Sequence, residues 1–210
     1  GRVFHGGPLP CAGMRVLLLL VVLALSSGVA GAAAICPPEP KESPAKEAAW
    51  NRALAALPAL ARRLPPTAGR TILMPVDGVR VQDVQDTWGG DRPDSRRHAG
   101  QDIFARPGTF VRSATPGIVW RIGTSVNGGN WVYVVGAGGR RYYYAHLGRV
   151  NRDLREGQRV TVRTILGTVG NSGNAVNTPA HLHFAVFTLY DPAAKCRFLA
   201  INPLPLLRDR

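Results

Sequence analysis

Apolar and polar residues follow three different patterns along this 210-residue chain. The first is an unbroken apolar run, Val16 to Leu25, which follows Met14-Arg15 and leads into small residues. About ten apolar residues fall short of the roughly 20 that a membrane-spanning helix needs. A basic start, a short apolar centre and the A-x-A sequences Ala30-Gly31-Ala32 and Ala32-Ala33-Ala34 describe a secretory signal peptide. Residues 14–34 are expected to be that signal, and residues 1–13 an upstream segment not translated in the native protein. Retention of the run as a membrane anchor is the competing expectation.

The second pattern has a helical period. After the proline-stiffened lead-in Cys36-Pro37-Pro38-Glu39-Pro40, Ser43-Pro44 reads as an N-cap followed by Pro in the first helical position. Trp50, Leu54 and Leu57 then fall at i, i+4 and i+7, which is one apolar stripe. Pro58 is expected to break or kink the helix, and Leu64-Pro65-Pro66 to end it. Residues 35–70 are thus a lead-in plus a helix packed on the outside of the main domain.

From Thr71 the period shortens to that of β-strands, with Gly, Asn and Asp turns between them. The predicted strands are 71–74, 79–84, 101–105, 117–124, 130–137, 141–147, 159–162, 164–169 and 181–189. Gly138-Gly139 between two β-rich runs predicts a hairpin, because both residues tolerate positive φ. The fold class is mainly β: a compact antiparallel sheet closing into a sandwich or barrel, with an N-terminal helix. The β domain is placed at 71–190 and a C-terminal tail at 191–210.

Composition changes the picture in two ways. Lys and Arg number 26 against 13 Asp and Glu, a formal charge of +13. Removing residues 1–34 takes away Arg2 and Arg15 and no acid, so the exported part still carries +11. Such a chain calls for an anionic partner, and export points to an anionic cell wall rather than to nucleic acid. The basic residues are also not interleaved with aromatics as in a nucleic-acid binder. Tyr142-Tyr143-Tyr144 beside Arg140-Arg141 comes nearest, but strand alternation buries at least one ring. Arg96, Arg97, Arg140 and Arg141 are candidates to face the polymer. The three cysteines lack any C-x-x-C spacing, so neither a zinc ribbon nor a redox motif is present. In an oxidising compartment Cys36 and Cys196 either form a disulfide or remain two buried thiols.

Four of the five histidines fall in the β region: His98, His146, His181 and His183. In a strand, His181 and His183 project from one face while Leu182 points away. Two close imidazoles repel when protonated, and a bound cation relieves the conflict. His98-Ala99-Gly100-Gln101-Asp102 reads as a turn entering a strand, placing an imidazole and a carboxylate within reach of one ion. Three protein ligands plus an open position is the pattern of catalytic rather than structural zinc.

At these residues the chain resembles the lysostaphin/LytM-type zinc metallopeptidases, the murein endopeptidases. The similarity runs over roughly residues 71–190. It includes His98-Ala99-Gly100-Gln101-Asp102-Ile103-Phe104-Ala105, Gly108 to Ala114 with Gly117-Ile118-Val119, and Tyr144-Ala145-His146-Leu147. It continues through Gly167-Thr168-Val169-Gly170-Asn171-Ser172-Gly173-Asn174 and ends in Thr178-Pro179-Ala180-His181-Leu182-His183-Phe184. The resemblance implies that His98, Asp102 and His183 bind Zn²⁺. It implies that His146 and His181 are catalytic, facing the water and the scissile carbonyl without being ligands. The implied fold is a compact antiparallel β domain with a narrow groove, built on a duplicated hybrid motif. Gln101 stands where the family has an aliphatic residue, and Val162-Arg163-Thr164 where it has a glycine turn.

The expected protein is therefore an exported, monomeric zinc endopeptidase that cuts peptidoglycan cross-links or stem peptides in the periplasm or cell envelope. It touches a membrane only if the signal is retained. His181 is the expected general base, and His146 the donor to the oxyanion or the leaving amine, with the two roles exchangeable. Trp88–Asp91 and Val126–Asn130 are expected as groove-wall loops. A catalytically silent peptidoglycan-binding module that activates other hydrolases is the alternative, and the intact histidine set disfavours it.

Overall fold

The computed structural model describes residues 1, 34–37, 43–92, 95–188 and 199–210. The proposed signal and upstream segments, and Cys196, lie outside these residues. One helix, α1 (Pro44–Ala61), precedes a run of short strands. They are β1 (Ile72–Leu73), β2 (Asp91–Arg92), β3 (Arg96–Arg97), β4 (Gln101–Phe104), β5 (Phe110–Arg112), β6 (Gly117–Ser125) and β7 (Gly129–Gly136). Then follow β8 (Arg141–Val150), β9 (Arg159–Val160), β10 (Ile165–Val169), β11 (His181–Phe187), β12 (Ala200–Ile201) and β13 (Leu207–Arg208).

Nine of these strands form one antiparallel sheet, in which β12-β11-β8-β7-β6-β9 are successive neighbours. The sheet branches because β8 and β11 each change partner along their length. Residues 141–145 of β8 pair with β11, whereas 147–150 pair with β10. Strand β11 pairs with β4 through 181–184 and with β8 through 183–187. These handovers curl the sheet around a core of Met74, Val76, Ile103, Val111, Tyr144, Leu147, Leu166, Leu182 and Phe184. Strand β1 runs parallel to β13, drawing the chain's last residues into the body. The hairpin at Gly138-Gly139 is present, and both residues have φ of 66°.

Helix α1 closes the other face of the sheet. Leu54 and Leu57 are 1% and 2% exposed, worth about 1.5–3 kcal/mol each. They pack with Trp120, Tyr133, Val135 and Phe187, and the Trp120 indole donates to the Ala53 carbonyl at 3.2 Å. The stripe read from the sequence is thus a packing face. Ser43 is the N-cap residue, but its hydroxyl caps nothing.

Three expectations are corrected. Pro58 does not break α1, which runs on to Ala61. Pro58 lies within one turn of the helix end, so it removes one hydrogen bond while burial of Leu54 and Leu57 holds the helix in place. Residues 79–84 are not a strand but surround the 3₁₀ turn Val81–Asp83. Val79, Val81 and Val84 still pack on the core, and the Val81 amide donates to Asp209 Oδ1 at 2.6 Å, so the apolar spacing served a turn. Arg141 does not face a polymer: it is fully buried. Its Nη2 donates to the Thr188 carbonyl at 3.2 Å, and its guanidinium lies 5.6 Å from the centre of the Phe187 ring, its cross-strand partner.

Ile35 forms a β-bridge with Ala200, and Cys36 is disulfide-bonded. No helix among the described residues is long and apolar enough to cross a membrane.

Candidate active site

The ladder between β4 and β11 builds most of the site. Its register pairs Asp102 with His183 and Phe104 with His181. Alternation puts these four side chains on one face and turns Gln101, Ile103, Leu182 and Phe184 into the core. Gln101 is fully buried, and its amide is satisfied locally. Its Nε2 donates to the Gln85 carbonyl, and its Oε1 accepts from the Thr87 amide at 3.3 Å. A polar residue is therefore accommodated beneath the site.

Three atoms converge. His98 Nε2 lies 2.9 Å from His183 Nδ1 and 3.1 Å from Asp102 Oδ1, and His183 Nδ1 lies 3.0 Å from Asp102 Oδ1. These edges approach the roughly 3.3 Å expected between ligand atoms about 2.0–2.1 Å from a tetrahedral ion. The donor set fits such an ion for a second reason. His98 Nδ1 lies 2.7 Å from the Thr87 carbonyl, which can only accept, so Nδ1 carries the proton and Nε2 offers its lone pair to the cluster. Gly100 leaves room for it: a Cβ there would stand 2.6 Å from His183 Cε1.

His181 and His146 adjoin this triangle and are fixed in the same way. The Nδ1–H of His181 donates to the Pro179 carbonyl at 2.8 Å, and that of His146 to the Ser172 carbonyl at 2.9 Å. Each ring thereby turns its Nε2 away from that carbonyl, and the two ring centres are 5.0 Å apart. His181 Nε2 stands 3.9 Å from Asp102 Oδ1, outside the close triangle. The structure thus brings together all five residues named from the sequence.

His146 reaches this position through a distortion. Asn130 and Val132 of β7 face Leu147 and Tyr144 of β8, so β8 carries one extra residue there. The break falls where β8 changes partner, and His146 has φ 58°, a conformation rare outside glycine. Replacing His146 by Gly or by Ala removes the same hydrogen bond, but only Ala retains the strain. The Gly variant is expected to be more stable than the Ala variant by about 1 kcal/mol in urea unfolding. Equal stability would mean that the bulge relaxes without its histidine.

Electrostatics follow from burial. Burial alone would raise the Asp102 pKa, but hydrogen bonds and charge interactions with His183 and His98 outweigh it and hold the carboxyl far below the usual range. Burial lowers the pKa of His183, against the opposing effect of Asp102. Burial, reinforced by the His183 ring, brings His146 down to about 4. An unfolded histidine titrates near 6.5, so between roughly pH 6.5 and 4 the unfolded chain binds a proton that native His146 refuses. Metal-free protein is therefore expected to lose stability as pH falls through that window. The fall in urea midpoint should be shallower for His146→Ala, and an unchanged slope would remove His146 as its cause.

Several contributors were not read from the sequence. Thr87 holds His98 through its carbonyl and accepts the Asp102 amide on its Oγ1 at 2.9 Å. Arg92 donates from Nη2 to Asp102 Oδ2, leaving Oδ1 for the cluster. The carbonyls of Ser172 and Pro179 orient the other two rings. Only Arg92 and Thr87 contribute side chains, and neither sits at a spacing from His98 that marks it. The two predicted wall loops do border the site: Gly89 and Gly90 exchange backbone hydrogen bonds with His98, and the Gly128 carbonyl accepts the His146 amide at 2.8 Å.

A family model described as peptidase family M23 matches residues 96–194. An L-Ala–D-Glu endopeptidase of Bacillus subtilis (strain 168) is 33% identical over 110 residues, 49% of this chain and 34% of that protein. A glycyl-glycine endopeptidase of Staphylococcus capitis is 37% identical over 114 residues, 53% of this chain and 29% of that protein. The chain thus spans about a third of the length of these curated relatives. The catalytic domain of lysostaphin from Staphylococcus simulans superposes with a TM-score of 0.50 at 25% identity, covering 60% of this chain and 92% of that domain. Csd3 of Helicobacter pylori gives a TM-score of 0.50 at 28% identity, covering 66% and 33%.

Proposed function

This chain carries a peptidase family M23 domain over residues 96–194, and from that premise we propose that it is an exported zinc endopeptidase acting on peptidoglycan cross-links or stem peptides. The reading rests above all on the convergence of His98 Nε2, Asp102 Oδ1 and His183 Nδ1 beside two imidazoles that are not part of the triangle. The peptidase family and the endopeptidase names of the relatives support it. His98, Asp102 and His183 are the metal ligands in this proposal, and His146 and His181 the catalytic pair.

His98, Asp102 and His183 would hold Zn²⁺, which would supply Lewis acidity and make a nearby water easier to ionise at neutral pH. The chain's own residues do the rest. His181, locked by Pro179, presents an acceptor nitrogen and takes the proton of the attacking water. His146 is held neutral by burial, with its Nδ1–H on the Ser172 carbonyl. The proton that His181 takes from the water passes to His146 Nε2, which then donates it to the developing oxyanion or the leaving amine. Arg92 keeps Asp102 pointing one oxygen at the cluster.

The relatives named here cut different bonds, L-Ala–D-Glu in one and glycyl-glycine in the other, so the proposal stops at peptide bonds of the wall. Digestion of purified sacculi with and without a chelator, with fragments identified by mass, tests it. Chelator-sensitive release is expected. Absence of release would favour a silent module that binds the wall and activates other hydrolases.

A further inference from the structure

Phe104 belongs to the site face but is not used in the chemistry above. Its cross-strand partner is His181, and the two ring centres lie 5.3 Å apart. On that face Asp102 is 5% and His181 6% exposed, whereas Phe104 is 46% exposed. It is one of only four markedly exposed large hydrophobic residues among those described.

The ring is not needed to hold its neighbour. His181 is already fixed by its Nδ1–H to Pro179, by its amide to the Gly170 carbonyl at 3.0 Å and by the strand ladder. A large apolar ring left half in solvent beside a buried polar cluster offers a surface that excludes water once something covers it.

We infer that Phe104 is a substrate-positioning residue, packing against the peptide residue next to the scissile bond beside His181. The inference rests on the endopeptidase reading given above. The ligand class is an extended peptide whose residue at this position is uncharged, because the ring offers no partner for a charge.

Phe104→Ala and Phe104→Leu, compared with the wild-type protein on a soluble cross-linked muropeptide, test the inference. Contact made equally in the ground and transition states appears in KM. The Ala variant is expected to raise KM about tenfold with kcat within about threefold, and the Leu variant to fall between. Zinc content and thermal midpoint should match the wild type. Unchanged KM would overturn the inference. So would a fall in kcat alone, which would mean that Phe104 acts by orienting His181. If the wild-type protein released no fragments, the endopeptidase reading itself would fail, which is a separate outcome.

Discussion

His181→Ala is expected to keep one zinc per chain and to lose turnover by about 10²–10⁴-fold, the usual worth of a positioned general base. The reason is geometric. The three close atoms belong to His98, Asp102 and His183, and His181 Nε2 stands off at 3.9 Å from Asp102 Oδ1. Removing its ring leaves the strand pairing of 181–184 with β4 untouched, because that ladder is made by backbone groups. Metal content by atomic spectroscopy, measured beside fragment release from sacculi, checks both halves. Loss of stoichiometric zinc would move His181 into the ligand set and overturn the assignment.

His183→Ala is expected to do the opposite: to lose the metal and, with it, all detectable release. A ligand contributes more than the 10–100-fold in affinity that outer-shell partners supply, so metal affinity should weaken by more than about 100-fold in a chelator competition. The variant has a cost even without metal. Asp102 is buried, and His183 and His98 hold it ionised alongside its contact with Arg92, so removing His183 leaves a less well compensated carboxylate. That penalty is about 1–3 kcal/mol and should appear as a lower thermal midpoint of the chelated protein. A variant that still bound zinc tightly would show that His183 is dispensable to the site.

Much of the site was legible because a strand's period is two. His181-Leu182-His183 reads directly as two imidazoles on one face, and the ladder bears this out. The stripe Trp50, Leu54 and Leu57 was legible by the same logic at a helical period. His146 was legible only through the resemblance: its orientation depends on a bulge and a positive φ that no local pattern announces at a histidine. Arg141 was misread because charge alone suggests a surface. Its burial depends on the chain segment that supplies Thr188 and Phe187, 47 residues away for the hydrogen bond it makes. The turn at Val81–Asp83 was misread because three closely spaced valines suit a turn lying on a core as well as a strand.

The sequence by itself therefore determined that His181 and His183 share a strand face, the mainly β class and the hairpin, because those depend on residue type and short-range period. Only the tertiary structure decided how the imidazoles are aimed. Thr87, Pro179 and Ser172 act on them through backbone carbonyls. Every residue has a carbonyl, so a sequence cannot mark the three that matter. Their selection comes from the chain path that brings residues 87, 172 and 179 against strands β4, β8 and β11, and that path is set by packing across the whole sheet.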